Sequence, residues 1–274
     1  MKTTPGAGTS PRRRVIGAAT SALPMGRERG LFVRPLVTLF GLIFLWWLFV
    51  RLFQLPGYLL PPPQRVADSL WADRELLAGA TLTTLIETVL GLVIGTLLGA
   101  LAALGMAFSP VLRRWLLPLL LLSQAVPIFA LAPLLVLWFG FGIASKVVMA
   151  VLVIFFPVMS ATFDGLRRVP QDWLDLAQCM NARGWRVLLL VRLPAALPSF
   201  GSGLRVAAAL APIGAVIGEW VGASSGLGYV MLNANARVRT DLMFAALLLL
   251  SAMTVTIWWA VDRMLGRVLS WAPR

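Results

Sequence analysis

Long apolar stretches with almost no charge recur six times along this sequence, and they constrain its fold more than any other feature. A helix needs about 20 apolar residues to cross the roughly 30 Å hydrocarbon core of a membrane. We place the six spans at residues 36–55, 82–108, 116–139, 146–163, 203–220 and 243–262. The sequence therefore predicts an all-α transmembrane domain over residues 35–265.

The composition supports a membrane protein over a nucleic-acid-binding one. Hydrophobic residues make up 59% of the 274 residues and charged residues 13%, whereas soluble domains average about 25% charged residues. The formal net charge is +13, but long apolar runs separate the basic clusters, so we expect no nucleic acid partner. Residues 1–34 are rich in Pro, Gly, Ser and Arg and are predicted to form a disordered basic tail, with a second short tail at residues 266–274.

Basic residues concentrate in the N-terminal tail and in alternate connections between the spans. Cytoplasmic loops of membrane proteins carry an excess of Lys and Arg. This distribution leaves a few basic residues, Lys146 among them, on the external side. The sequence therefore predicts that both termini are cytoplasmic.

Several kinds of chemistry are excluded by the residues that the sequence lacks. It contains no histidine and one cysteine, Cys179, so we expect no metal site of the usual zinc type, no cofactor and no histidine-dependent catalysis. It also contains no G-x-x-x-x-G-K-[ST] loop and no paired catalytic carboxylates. We therefore expect no enzymatic activity, and any ATP hydrolysis must belong to a partner subunit.

Glycines and prolines punctuate the second and third spans. Gly91, Gly95 and Gly99 lie four residues apart, which predicts close packing of helices rather than a ligand site. The third span has no charge and contains Pro118, Pro127 and Pro133, so we expect a kinked helix. Such a helix suits the wall of a transport pathway, although transmembrane helices also simply tolerate proline.

The connection over residues 164–202 is the longest one on the predicted cytoplasmic side. It predicts a short amphipathic helix that begins after Pro170, with Asp172 as its cap. Either Asn181 or Gly184 is expected to end this helix in a left-handed conformation. A second run, Trp185–Leu193, is expected to stop at the prolines that precede the fifth span. A short helix at the membrane face suits docking to a soluble partner, whereas a helix lying passively among the headgroups would not need the turn and second run. The apolar face of the first helix comprises Trp173, Leu176, Ala177 and Met180.

This connection resembles the cytoplasmic coupling motif of permease subunits of binding-protein-dependent ATP-binding-cassette (ABC) importers. That motif has a Glu-Ala-Ala triplet, a Gly four residues after the second Ala, and a later Leu-Pro. Here Asp175-Leu176-Ala177 match the triplet, Asn181 falls at the glycine, and Leu193-Pro194 match the end. Asp175 has a shorter side chain than the family's Glu, and Leu176 is bulkier than its Ala.

The resemblance extends from about Leu59 to the sixth span. The taurine, sulfonate, nitrate and pyrimidine branch of these permeases is similar in the stretches SQAVPIFALAPLLVLWFGFGIASK, FFPVMSATFDGLRRVP and RLPAALPSFGSGLRVA. Members assigned to uptake of thiamine's pyrimidine precursors are similar in the stretch GEWVGASSGLGYVMLNANARVRTDLMFAAL.

The resemblance implies a six-helix type I importer permease in the bacterial inner membrane. It implies a homodimer, an ABC ATPase subunit bound through the 172–194 loop, and a periplasmic or lipid-anchored solute-binding protein. The solute would be a small polar molecule, a thiamine pyrimidine precursor or otherwise a sulfonate, taurine or nitrate. Arg183 and Arg186 are placed to meet acidic ATPase residues or lipid headgroups. The coupling residues that it implies are Trp173, Asp175, Leu176, Ala177, Met180, Asn181, Arg183, Gly184, Leu193 and Pro194.

Five polar residues in or near the spans are candidates for a solute pathway. A carboxylate inside a span, as at Glu87, is a functional hypothesis by default, but this residue also lies close enough to the span's outer end to reach the interface. Glu219 would equally suit an interface carboxylate, and Gln124 a hydrogen bond between helices. A stand-alone channel or secondary transporter is the alternative function, and the scarcity of charge within the spans disfavours it. The five candidates are Glu87, Gln124, Glu219, Asn233 and Asn235.

Overall fold

A computed structural model describes residues 30–271, with the side chains of residues 30–36 and 39 left out. Most of the predicted N-terminal tail, residues 1–29, and the last three residues lie outside the described part. The described residues fall into two units, residues 30–48 and residues 49–271. The helices are α1 (Gly30–Leu52), α2 (Pro63–Ala72), α3 (Arg74–Phe108), α4 (Pro110–Ser123), α5 (Ile128–Phe139), α6 (Ile143–Arg167), α7 (Gln171–Cys179), α8 (Gly184–Val187), α9 (Leu193–Gly222), α10 (Leu227–Ala236) and α11 (Thr240–Val268), with a π-helical turn (Leu188–Arg192) between α8 and α9.

The first unit consists of the part of α1 up to residue 48. Phe44 and Trp47 lie one turn apart on it, and their rings stack with centroids 6.0 Å apart. The second predicted apolar run and those that follow it belong to the second unit.

Four continuous helical stretches of the described chain are long and apolar enough to cross a membrane: α3, α6, the stretch from α8 through α9, and α11. The predicted all-α transmembrane fold is confirmed. α3 begins at Arg74, well before the predicted start at residue 82, and α9 continues the helix that begins at Gly184. The first predicted span, residues 36–55, overlaps α1, which ends at Leu52, and the apolar stretch Phe40–Leu52 there is shorter than the predicted span.

The third predicted span is broken rather than kinked. α4 and α5 meet at an angle of 102° across residues 124–127. Pro127 has no amide hydrogen, and a proline disfavours the helical conformation of the residue before it, so the helix stops and restarts here. Pro118 and Pro133 remain inside α4 and α5.

α6 lies between α3 and α9, and glycines on both neighbours allow the approach. A Cβ atom added to Gly99 of α3 would lie 2.9 Å from the Phe155 carbonyl oxygen of α6. A Cβ atom on Gly214 of α9 would lie 2.7 Å from the Ala150 Cα atom of α6. Gly91 and Gly95 also face α6, which confirms that this row of glycines serves helix packing.

Two ion pairs connect α11 to other elements. Arg205 of α9 donates to Asp262 of α11 at 2.6 Å, and both side chains are partly exposed. Arg239, directly before α11, donates to Asp73 between α2 and α3 at 2.7 Å. Thr240 adds a hydrogen bond to the Gly57 carbonyl oxygen at 2.8 Å. These contacts connect both ends of α11 to other elements of the second unit.

We expect Gly214→Ala to destabilise the fold, because the added methyl group would meet the α6 backbone, which cannot move aside without separating the helices. Overpacking of this kind costs about 1–3 kcal/mol. The matched control is Gly79→Ala in α3, where nothing lies within 4 Å of an added Cβ atom. The melting temperature of the detergent-purified protein should fall only for Gly214→Ala, and equal melting temperatures would contradict the packing described.

Candidate functional site

The predicted amphipathic helix is present as α7, Gln171–Cys179. Its N-cap is Pro170, which makes no side-chain cap, and Asp172 lies in the first turn. The expectation that Asp172 caps the helix is therefore wrong, because the chain turns into the helix two residues earlier. Gln171 donates to the Asp175 carboxylate at 3.1 Å, one helical turn further along.

The apolar residues of α7 divide between two environments. Trp173, Leu176 and Met180 are exposed, with relative accessibilities of 53%, 63% and 75%. Ala177 is buried at 7%. Large exposed apolar side chains close together are typical of a surface that binds a partner. We call Trp173, Leu176 and Met180 the docking face.

The turn after α7 adopts a left-handed backbone at Asn181, where φ is 54°. The Asn181 amide donates to the Gln178 carbonyl oxygen at 2.8 Å, and the Ala182 amide donates to Ala177 at 3.0 Å. Gly184, the other candidate for this conformation, is instead the first residue of α8. Asparagine is one of the few non-glycine residues that adopt this conformation readily, so Asn181 suits the turn.

The second run does not stop at Pro194. α8 passes through the π-helical turn into α9, and the helical stretch continues from Gly184 to Gly222. Pro194 lies in the first turn of α9, where a π-helical turn precedes it and a missing amide hydrogen is tolerated. The predicted stop before the fifth span is therefore wrong, and α8 is a direct extension of that span.

Beneath α7 lies a cavity of about 610 Å³. Phe108 at the end of α3, Leu174 and Gln178 of α7, and Trp185 of α8 contribute to its walls. The Arg186 guanidinium lies 5.3 Å from the centre of the Trp185 ring, a cation–π contact. α7 is thus connected through the chain to α6 at one end and to α8 at the other, with open space beside it.

A group of buried polar side chains lies at the other end of α6 and α9. Thr84, Glu87, Lys146 and Glu219 come from α3, α6 and α9, and each is at most 3% exposed. We call these four residues the polar cluster. Burying a charged side chain inside a membrane protein costs free energy unless the charge is paired or hydrogen-bonded. The hydrogen-bond partners of these side chains therefore show which elements the cluster connects.

Glu219 joins three elements through its carboxylate. The Thr84 hydroxyl donates to Oε1 of Glu219 at 2.6 Å. The Gly228 amide donates to Oε2 at 2.5 Å, and the Tyr229 amide does so at 3.3 Å. The Leu227 amide donates to the Thr84 hydroxyl at 2.8 Å. Glu219 and Thr84 therefore satisfy the first amides of α10.

Lys146 satisfies carbonyl groups on two neighbouring turns. Its ammonium group donates to the Gly142 carbonyl oxygen at 2.9 Å and to that of Gly222 at 2.5 Å, and it also bonds the Phe141 carbonyl oxygen. Gly222 is the last residue of α9. Lys146 therefore connects the turn before α6 to the end of α9.

Glu87 lies beside the other charged groups of the cluster, within hydrogen-bonding reach of the Glu219 carboxyl. Among the described residues its Oε2 atom has no hydrogen-bond partner, and the hydroxyl of Thr88, one residue further on, also lacks one. The sequence did not predict that Thr84 and Lys146 take part. The signal that could have indicated Lys146 is its position, a lone lysine at the start of an apolar run.

The structure brings together only two of the five pathway candidates, Glu87 and Glu219. Gln124 is exposed in the break between α4 and α5, where it donates to Ser123 at 3.4 Å. Asn233 and Asn235 lie in α10, and Asn233 donates to the Tyr229 carbonyl oxygen at 2.9 Å.

Comparison with known proteins agrees with this architecture. Residues 95–269 match the family described as "Binding-protein-dependent transport system inner membrane component". A chain of the MetNI methionine ABC transporter, solved in an inward-facing conformation, shares the fold with a TM-score of 0.57 and 18% identity, over 73% of this chain and 97% of that chain.

Two curated relatives are similar over nearly their whole lengths. A probable ABC transporter permease protein of Haemophilus influenzae is 52% identical over 86% of this chain and 96% of its own. The formylaminopyrimidine transport permease protein ThiX of Halalkalibacterium halodurans is 35% identical over 88% of this chain and 97% of its own.

The chain belongs to the family of binding-protein-dependent transport system inner membrane components. It is a permease subunit of an ABC importer, a multi-pass protein of the inner membrane. The branch of these permeases that the sequence motifs indicate is confirmed by the relatives.

We expect Asn181→Val to destabilise the α7–α8 turn, because a β-branched residue at φ 54° costs about 1–2 kcal/mol. Asn181→Gly should be tolerated, since glycine adopts this conformation freely. Gly184→Ala is the matched control, because its backbone is not left-handed and nothing lies within 4 Å of an added Cβ atom. Limited proteolysis of the purified protein should show faster cleavage within residues 179–184 for Asn181→Val only. Faster cleavage in Gly184→Ala as well would show that the turn is not strained where described.

Proposed function

We propose that this permease moves a small pyrimidine of the thiamine-precursor class across the inner membrane, driven by a separate ABC ATPase. The observation that supports the solute class is the 35% identity to a formylaminopyrimidine transport permease, over 97% of that protein. The stretch Gly218–Leu247, which contains Glu219 and α10, is the one that resembles thiamine-precursor permeases. A solute-binding protein on the external side would deliver the pyrimidine.

The ATPase docks on α7. The docking face offers one aromatic and two aliphatic side chains on a single short helix, which suits insertion into an apolar groove on a soluble protein. Asp175 and the turn at Asn181 set the shape of the helix, and Ala177 lies on its buried side. Arg183 and Arg186 flank the face and complement acidic residues of the ATPase. Gly184 begins the helical stretch that leads from α7 into α9, and Leu193 and Pro194 are the first residues of α9.

Two copies of the permease assemble, each with its own ATPase subunit, and both termini are cytoplasmic. The family resemblance supports the pairing. The orientation is supported by the concentration of arginines around α7, because cytoplasmic loops carry an excess of Lys and Arg. The basic residues around α7 are Arg167, Arg168, Arg183, Arg186 and Arg192. The comparisons give no support to a stand-alone channel or secondary transporter.

We expect Leu176→Asp to release the ATPase, because a carboxylate in the centre of the docking face would be buried without a partner. A central interface residue contributes about 2 kcal/mol or more, so affinity should fall at least about 30-fold. The control is Val238→Asp, which places the same charge at a comparably exposed site that precedes α11, at the end opposite α7. Co-purification of the ATPase subunit with each permease variant measures the effect. Retention of the ATPase by Leu176→Asp would contradict docking on α7.

The solute class is tested in proteoliposomes that contain the permease and its ATPase, with the binding protein added outside. Uptake of radiolabelled formylaminopyrimidine should be saturable and should require ATP inside the vesicles, because the ATPase subunit lies inside when the external face of the permease points outward. Excess taurine or nitrate should not compete, because neither presents the ring and amino groups of a pyrimidine. Uptake of taurine or nitrate without uptake of the pyrimidine would overturn the proposal.

A further inference from the structure

The first turn of α10 has no cap from its own sequence. Its N-cap is Gly226, which has no side chain, and the first three amides of the helix donate instead to Thr84 and Glu219. The partners thus come from α3 and α9, two helices of the bundle. Because a carboxylate at a helix N-terminus also interacts favourably with the helix dipole, Glu219 is well suited to hold α10 in place.

The fit around this carboxylate leaves no room for another side chain. A Cβ atom added to Gly228 would lie 2.8 Å from Oε2 of Glu219. Gly226 has φ 111°, a conformation that other residues rarely adopt, and a Cβ atom there would also meet the carboxylate. The turn into α10 is therefore built around Glu219.

Lys146 fixes the other side of the same turn. Its bond to the Gly222 carbonyl oxygen holds the end of α9, directly before residues 223–226. Its bond to Gly142 holds the turn that leads into α6. We call residues 223–236, the turn and α10 together, the distal segment. The polar cluster attaches this segment to α3, α6 and α9 at once.

Two of the three helices that carry the cluster, α6 and α9, are also the ones that flank α7 in the chain. Lys146 lies in the first turn of α6, and α7 follows the last residue of that helix after three residues. Glu219 lies in the last turn of α9, which is continuous with α8. A displacement of α7 is therefore transmitted along α6 and α9 to the cluster, because close-packed helices move as stiff elements.

We propose that Thr84, Lys146 and Glu219 are positioning residues, which hold the distal segment so that binding at that end of the importer reaches the ATPase at α7. This inference rests on the importer function proposed above. A purely stabilising role is a weaker explanation, because buried ionic groups contribute little net stability compared with apolar packing but do specify one geometry. The distal segment is the part whose geometry they specify.

The test replaces Thr84 by Val, which has the same shape but can neither accept the hydrogen bond from the Leu227 amide nor donate one to Glu219. Thr84→Ser restores the hydroxyl group. The control is Thr83→Val on the same helix, whose hydroxyl donates only to Gly79 of that helix, at 3.1 Å. Each variant is purified with the ATPase subunit and reconstituted in proteoliposomes.

The first measurement is the ATPase rate with and without solute-loaded binding protein. Thr84→Val should reduce the stimulation at least about fivefold while the basal rate and the bound ATPase remain unchanged, and Thr84→Ser and Thr83→Val should keep the stimulation. Full stimulation in Thr84→Val would overturn the proposal. A parallel loss of basal rate, stimulation and assembly would also overturn it, because that pattern indicates a structural role only.

The second measurement is hydrogen exchange of the amides of residues 227–229, which does not depend on transport. Exchange there should rise at least about tenfold in Thr84→Val and stay unchanged in Thr83→Val. Unchanged exchange in Thr84→Val would show that the cluster does not hold α10. If the unaltered protein shows no stimulation by any binding protein, the proposed function fails, and the exchange result still decides whether the cluster positions the distal segment.

Discussion

Close packing of α6 between α3 and α9 is the constraint on which the rest of the structure depends. Apolar side chains gain little by leaving lipid for one another, so helices in a membrane associate through tight van der Waals contact. Glycines on both neighbours supply that contact, and Gly99 and Gly214 leave no room for a methyl group against α6. This packing places the start of α6 beside the end of α9 and leaves α7 at the opposite end of both helices.

The buried charges depend on this arrangement. Lys146 and Glu219 lie near helix ends, so each can reach main-chain groups that the helices themselves leave unsatisfied. The Lys146 ammonium group donates hydrogen bonds to main-chain carbonyl oxygens, and the Glu219 carboxylate accepts hydrogen bonds from amides of α10. Hydrogen bonds of this kind offset the cost of removing both charges from water, and they tie three helices to the distal segment.

Much of the fold follows from local pattern. Apolar runs predict the long helices, the four-residue glycine spacing predicts their close packing, and helical periodicity predicts α7, since each depends on residues that are near one another in the chain. The details that differ depend on tertiary contacts. The helix is broken at Pro127 but continues through Pro133. It also continues through Pro194, which follows a π-helical turn.

The polar cluster could be predicted only in part for the same reason. Glu87 and Glu219 are visible as carboxylates in apolar runs. Thr84 has no distinguishing feature in the sequence. Its role arises because α10 packs near α3, which brings the Leu227 amide to a hydroxyl 143 residues earlier in the chain. No local periodicity reports such a contact.

The measurement that tests the central claim most directly uses Cys179, the single cysteine of the chain, which is exposed at the end of α7. A membrane-impermeant maleimide should label Cys179 in inside-out vesicles that lack the ATPase subunit, and addition of that subunit should protect it. Vesicles of the opposite orientation should stay unlabelled. Labelling from the external side, or labelling that the ATPase leaves unchanged, would contradict an importer permease that docks its ATPase on α7.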